Sequence, residues 1–441
     1  MFNCSSCGYQ SIKWLGKCPL CDGWETFVEQ SNSGVITARP KASVKQLKDI
    51  DKAHSKRITV GIDEFDRILG GGLVEGEVIL LGGEPGIGKS TLLLEVGSML
   101  CAKGKTLYVS AEESPQQIAL RASRLKNSSD SLHLLGEDDL TEVLKAIQEH
   151  EFKFIIIDSI QVVRHPSCDG PKGSVSQIRG CADYLTQIAK ATGIIVFIVG
   201  HVTKEGALAG PKLLEHLVDC VLYFEGENIC GYRILRASKN RFGPTGDIAV
   251  FEMTSVGLKE VKKINDIFLP HKGQLFPGST VACVMQGMRP VPIELQSLVT
   301  RGTFGMVRRR SLGYDYNRLL LLTAIIEKRL KVALSSEDVF LNVAGGIKID
   351  DPAADFAAAV AIVSSYKEEN VPQGSLFLGE VGLSGELRRV SHINLRISSA
   401  ARANFSDFYI PESNISEVQK GSNLSVKGFR SMKEAMETLF P

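Results

Sequence analysis

Little in the bulk composition of this 441-residue chain points to a function. Lysine and arginine total 51 against 50 acidic residues, a formal net charge of +1. The chain lacks the basic excess that would advertise a nucleic-acid binder, so any DNA contact has to come from local patches or a central channel. It also lacks a long apolar run. Its apolar runs, such as Leu319–Ile326 with Thr323 interrupting it, fall well short of the roughly 20 residues that cross a bilayer. The start, Met1-Phe2-Asn3-Cys4-Ser5, has no basic stretch followed by an apolar one, so no export signal is visible. These absences predict a soluble, cytoplasmic protein with no membrane partner. Hydrophobic residues make up 44%, which supplies packed cores and argues against wholesale disorder. The length calls for two or three domains.

Cysteine is present but unevenly placed. Of the 10 cysteines, Cys4, Cys7, Cys18 and Cys21 fall at the start and the rest are scattered, which suits metal binding in a reducing compartment better than disulfides. Cys4-x2-Cys7 and Cys18-x2-Cys21 read as two knuckles that together offer four thiolates in a tetrahedral site, the preference of zinc. Such a site has no open position for chemistry. The metal supplies folding energy that so small a unit cannot draw from a core. Lys13 and Lys17 offset part of the thiolate charge, and Trp14, Trp24 and Phe27 are the expected apolar cover. The competing reading, a redox pair, lacks a thioredoxin-like βαβ pattern around it. Residues 31–57 are polar without apolar period and read as a linker.

A phosphate-binding loop follows. Val78-Ile79-Leu80-Leu81 has the character of a buried parallel strand. It leads into Gly83-Glu84-Pro85-Gly86-Ile87-Gly88-Lys89-Ser90-Thr91 and then a helix-forming Leu92–Val96. Strand, glycine loop and helix are the context in which backbone N–H groups and a helix N-terminus hold phosphates. Lys89 is expected on the β- and γ-phosphates of ATP, and the Ser90 hydroxyl on Mg2+. Phe154–Asp158 is an apolar strand ending in an acid, so Asp158 is expected to order the magnesium shell. Lys105–Ser110 is another strand, and Glu112 just after it fits a residue that polarises the attacking water. Glu112 or Glu113 as a solvated acid capping the helix at Ser114-Pro115 is the competing reading. His201 closes a strand at Ile194–Val199, where a polar side chain could sense the γ-phosphate or simply end the strand. Strands alternate with helices over residues 76–225, which implies a doubly wound, mostly parallel sheet with nucleotide at the carboxyl ends of its strands.

Gly61–Gly72, the loop Gly83–Thr91, Val109–Ser114 and Lys239-Asn240-Arg241-Phe242-Gly243 together resemble the bacterial RadA/Sms DNA-repair proteins, and the cysteine pairs match in the same order. The resemblance implies a DNA-dependent ATPase in a homohexameric ring, acting on single-stranded and branched DNA beside the RecA recombinase and driving branch migration and unwinding. It also implies ATPase roles for Lys89, Ser90, Glu112 and Asp158, and a motif, Lys239 to Gly243, that couples nucleotide to DNA through Lys239 and Arg241. Two cations, an asparagine and a glycine on one loop could reach a neighbouring subunit's phosphate in the manner of an arginine finger, or a DNA backbone. An ordinary basic loop is the plain alternative, since Arg233 and Arg236 lie just upstream.

Beyond about Asn265 the pattern becomes α+β. Pro270, Gly273, Pro277, Gly278, Pro290 and Pro292 punctuate short strands. Asn317–Leu330 reads as an amphipathic helix, Leu341–Ile349 as a strand, Asp350–Asp355 as the start of an alanine-rich helix, and Leu376–Leu383 as a strand. The arrangement resembles the proteolytic domain of Lon. Where that family places its serine this chain has Ala353, and the lysine falls near Asn394, so no acyl-enzyme can form at that position. Arg308-Arg309-Arg310 with Tyr314 and Tyr316 is a candidate phosphate-contact cluster or a solvated loop. The expected plan is an α/β protein with a Cys4 zinc finger at 1–30, a linker at 31–57, a RecA-like P-loop ATPase at 58–265 and a proteolytically inactive Lon-like domain at 266–441. An ATP-dependent protease and an ATP-switched regulator or kinase are the competing functions.

Overall fold

The computed structural model describes residues 2–4, 10–11, 13–29, 57–125, 129–201, 214–226, 231–262, 265–269, 275–302, 307–419 and 424–441. The chain divides into two compact units, Met1–His54 and Ser55–Pro441. Among the described residues no helix is long and apolar enough to cross a membrane.

The first unit is a three-stranded antiparallel sheet of β1 (Phe2–Cys4), β2 (Gln10–Ser11) and β3 (Phe27–Glu29), in the order β2-β1-β3. Its buried cluster is Cys4 and Cys18 with Leu15 packed against them. The expected tryptophan cover is absent: Trp14 is 53% and Trp24 72% exposed. With so little apolar surface inside, sulfur ligation rather than burial has to stabilise this unit. Lys17 is held by Asp22 at 2.5 Å rather than left for the thiolates. The described residues do not include Cys7, the Phe27 side chain or residues 30–56, so all of the expected 31–57 linker but Arg57 lies outside them.

The second unit opens with α1 (Asp63–Ile68) and is built on a nine-stranded sheet. Its strands are β4 (Val78–Gly83), β5 (Thr106–Ser110), β6 (His133–Leu135), β7 (Phe154–Asp158), β8 (Ile195–His201), β9 (Cys220–Glu225), β10 (Tyr232–Asn240), β11 (Ile248–Thr254) and β12 (Gly257–Glu260). Their order is β12-β11-β10-β9-β4-β8-β7-β5-β6. From β9 to β6 every pairing is parallel, as expected; β10, β11 and β12 extend the sheet as an antiparallel trio. β4, β5 and β7 are apolar runs without polar alternation because both faces are covered. One face packs on α1 and α2 (Lys89–Leu100), the other on α4 (Leu140–His150) and α5 (Val175–Thr192). α3 (Pro115–Ala122) starts with a complete capping box, Ser114 with Gln117, worth about 1 kcal/mol.

The C-terminal part adds a four-stranded sheet of β13 (Ser279–Gln286), β14 (Arg289–Arg301), β15 (Arg309–Leu312) and β16 (Glu337–Val343), in the order β13-β14-β16-β15. The short strands expected around Pro290 and Pro292 are instead one strand of 13 residues. Both prolines are tolerated because β16 pairs with β14 only from Leu295 onward, which leaves a free edge at residues 289–294. The strand expected at Leu341–Ile349 ends at Val343, where Ala344–Gly346 turns with Gly345 at φ 72°. The one expected at Leu376–Leu383 splits into Ser375–Phe377 and Glu380–Val381. There the Gly379 amide leaves the sheet and donates to Ala353 O. The alanine-rich helix spans Asp355–Lys367 and is almost wholly buried through Ser364. Arg396 is 1% exposed and anchors this core, with its guanidinium 2.5 Å from Asp351 and donating to Cys283 O. Removing one partner of such a buried pair costs roughly 3–5 kcal/mol.

The nine-stranded and four-stranded sheets are joined through α1. Glu64 accepts from Arg67 and from Arg289 at 2.7 Å, and Arg67 pairs with Asp247 at 3.0 Å.

Candidate active site

Parallel pairing brings four strand ends to one edge of the sheet. β4 lies beside β8 with Gly83 opposite His201, and β5 lies beside β7 with Ser110 opposite Asp158. The chain leaves β4 through the glycine loop. A Cβ at Gly83 would sit 2.6 Å from Phe224 O, so nothing larger fits between the loop and β9. Gly88 is left-handed at φ 113° and forms the N-cap of α2, which carries Lys89 and Ser90 in its first turn. Arg233, on β10, donates to Ile87 O and braces the loop from the side. Glu84, Pro85, Gly86 and Thr91 complete the loop and helix start in the predicted order.

Lys89 is 4% exposed. Its ammonium donates to Gly83 O at 2.8 Å and Glu84 O at 2.9 Å, so two loop carbonyls hold the charge that phosphate oxygens would take. Burial pulls its pKa down to about 8, against the opposing pull of Asp158 and Glu112. Asp158, at the end of β7, accepts the Tyr108 hydroxyl. Burial, reinforced by Asp158, pushes the Tyr108 phenol well above its usual range, so it stays a donor. Glu112 is half exposed in the β5–α3 turn. The buried Ser159 hydroxyl donates to its Oε1 at 2.6 Å, and His201 Nε2 lies 3.6 Å from the same oxygen. The helix-capping alternative does not describe Glu112, because Ser114 and Gln117 make the cap. Glu113 pairs with Arg121 instead. The arrangement offers a cation for phosphate, two carboxylates and a hydroxyl that orients one of them. Tyr108, Ser159 and Arg233 were not picked out by sequence. Ser159, directly after the strand-end acid, was the one with a signal to find.

The segment Lys239–Gly243 lies elsewhere. Lys239 and Asn240 are the last residues of β10 rather than part of a loop. Asn240 pairs with Cys220, and Cys220 with Ile79, four residues before Gly83 on β4. The motif therefore sits at the opposite end of the strands from the glycine loop, offset roughly 13 Å along the strand direction at about 3.3 Å per residue. The Lys239 ammonium donates to Glu215 O and Val218 O. Burial and the neighbouring Arg241 charge hold it below the usual lysine range. Asn240 is buried and donates to Ile68 O. Arg241 is more than half exposed, 3.6 Å from Asp219.

In the small unit Cys4, Cys18 and Cys21 present sulfur atoms all within 4.8 Å of one another, with Cys4 Sγ 3.6 Å from Cys21 Sγ. Three converging thiols, two of them buried, form a donor set that fits zinc. Cys7 lies outside the described residues.

The remaining candidates separate. Ala353 is 1% exposed and carries no nucleophile. Asn394 is tied to Glu417 O and the Gln419 amide. Of the arginine cluster, Arg309 is spent on the carbonyls of Leu334 and Glu337, while Arg308 and Arg310 are exposed. Tyr314 does not stand beside them for DNA: it is 5% exposed and donates to Asp355. Tyr316 remains exposed beside Arg310 in a groove of about 660 Å³.

Residues 46–207 match the family described as AAA domain, residues 2–29 the rubredoxin metal binding domain, and residues 321–414 subunit ChlI of Mg-chelatase. Among curated proteins the chain is similar to DNA repair protein RadA of Streptococcus pyogenes, 46% identical with 100% of this chain and 98% of that protein covered. It is similar also to DNA repair protein RadA of Bacillus subtilis, at 44% with 99% and 98% covered, and of Listeria monocytogenes, at 44% with 100% and 98% covered.

Two expectations follow from this geometry. Purified protein should carry about one zinc per chain, and a strong chelator should expose the small unit to protease while leaving the large unit intact. A metal-free preparation with a protease-resistant small unit would contradict it. Because Lys89 in the free enzyme loses its charge as pH rises through about 8, kcat/KM for ATP should fall about tenfold per pH unit above that point. A profile level to pH 10 would remove Lys89 from phosphate binding.

Proposed function

Because the chain belongs to the RadA family of DNA repair proteins, we propose that it is a DNA-stimulated ATPase that uses nucleotide turnover to unwind DNA and drive branch migration on recombination intermediates. The observation that carries this reading is the meeting of Lys89, Asp158, Glu112 and Ser159 at one edge of a parallel sheet. On nucleotide binding, Lys89 exchanges the carbonyls of Gly83 and Glu84 for β- and γ-phosphate oxygens. Ser90 and Asp158 are the residues that would hold Mg2+, which when bound neutralises phosphate charge. Glu112 takes the proton of the attacking water, with Ser159 fixing the carboxylate's orientation so that less freedom is lost in the transition state. His201 adds a polar group at the same edge that responds to the γ-phosphate.

Lys239 and Arg241 act on a neighbouring subunit. Their place at the far end of the strands keeps them from their own glycine loop. A head-to-tail homohexamer would bring that end to the next subunit's phosphates, where a cation stabilises the transferring group. Single-stranded and branched DNA and the RecA recombinase are the partners of this reading, in the bacterial cytoplasm. The Lon-like part serves as scaffold, since Ala353 offers no oxygen for peptide attack.

Steady-state ATP hydrolysis should rise several-fold with single-stranded DNA, in the manner of a coupled motor. Lys239→Ala should keep nucleotide binding and lose most of that rise. A variant with full DNA stimulation would leave the motif without this role, and a wild type indifferent to DNA would overturn the motor reading.

A further inference from the structure

Arg57 counts as linker by composition, yet its guanidinium is bonded into the ATPase unit. Nη1 donates to Leu69 O and to Gly72 O, each at 3.0 Å, and Nη2 donates to Phe242 O. Two of these acceptors belong to the end of α1 and its glycine turn; the third is the backbone of the Lys239–Gly243 motif.

The two segments are joined in other ways at the same place. Asn240 donates to Ile68 O at 3.3 Å and accepts the Phe242 amide at 2.9 Å. Gly70, at φ 84°, faces Gly243 so closely that a Cβ on it would lie 2.8 Å from Gly243 Cα and 3.2 Å from Phe242 O. Backbone therefore packs on backbone, and Arg57 spans the seam. Lys190 lies over the Phe242 ring at 5.8 Å, on the α5 side.

From this arrangement we infer that Arg57 is the positioning residue of the Lys239–Gly243 motif: it fixes the backbone at Phe242, so that Arg241 projects from a held chain. A planar guanidinium with several donors can serve carbonyls on both segments at once, whereas an ammonium is a single point of charge. Arg57 touches neither nucleotide nor DNA in this assignment; it acts through the motif. The inference rests on the proposed coupling role of that motif for its effect on turnover, but the clamp itself can be measured apart from it.

The test uses the full-length chain as wild type, Arg57→Ala and Arg57→Lys. Backbone amide exchange without ligands reads the clamp, and ATP hydrolysis with and without single-stranded DNA reads its consequence. Amides of residues 241–243 should exchange about tenfold faster in Arg57→Ala, with β4 and β8 unchanged. DNA-stimulated kcat should fall about tenfold while KM for ATP stays within about twofold. Arg57→Lys should recover less than half of the loss, and it carries the same readouts should Arg57→Ala fail to fold. Unchanged exchange at 241–243 overturns the inference whatever the ATPase does. Faster exchange confined to residues 66–72, with full DNA-stimulated kcat, makes Arg57 a helix-end cap only and also overturns it. Faster exchange at 241–243 in a protein whose wild type ignores DNA upholds the clamp and sinks the motor reading instead.

Discussion

At the carboxyl ends of β4, β5, β7 and β8, ladder pairing holds Gly83 beside His201 and Ser110 beside Asp158, and the candidate catalytic groups hang from that edge. Both faces of these strands are covered, which holds their ends at the edge of the sheet as the place where polar side chains emerge. The cost is concentrated at Lys89, whose charge is held in a nearly closed site by two carbonyls while desolvation works against it. On the proposed reading, phosphate oxygens take the place of those two carbonyls around the ammonium.

The same sheet separates the glycine loop from the proposed coupling motif by its length. One end carries the glycine loop; the other carries Lys239, Asn240 and Arg241, knitted to α1 through Ile68, Leu69 and Arg57. α1 in turn bonds the C-terminal sheet directly through the Glu64–Arg289 pair, and indirectly through Arg67, whose partner Asp247 in the β10–β11 turn accepts the Met288 amide. The proposed coupling motif and the C-terminal domain thus share one short helix as an anchor. A displacement of the motif by a neighbour's nucleotide would act on that helix first, through side-chain bonds to its terminal carbonyls and the close Gly70–Gly243 backbone contact.

Much of this was legible in the sequence. The strand–glycine loop–helix order, the acid closing Phe154–Asp158 and the cysteine spacing each follow from local chemistry, and the structure has the strands and loop in that order. What was not legible depends on contacts between distant segments. Ser159 is one residue past a predicted acid, but only the pairing of β5 with β7 brings it to Glu112. Pro290 and Pro292 signalled broken strands, yet β14 runs through both because its partner on that side begins later. Trp14 and Trp24 looked like cover for the cysteines and are exposed, since sulfur geometry rather than apolar packing organises that unit. Lys239 and Arg241 were read as neighbours on a loop, whereas the strand end sends one to backbone carbonyls and the other toward solvent.

Completion of one subunit's site by another is most directly tested by mixing two inactive proteins. Lys89→Ala lacks its own phosphate contact but keeps the motif, and Lys239→Ala has the reverse defect. Random assortment of equal amounts into a head-to-tail ring gives roughly a quarter of sites an intact loop facing an intact motif. DNA-stimulated ATP hydrolysis by the mixture should therefore reach roughly that fraction of wild type, well above the sum of the two alone. A mixture no more active than its separate components would contradict completion in trans.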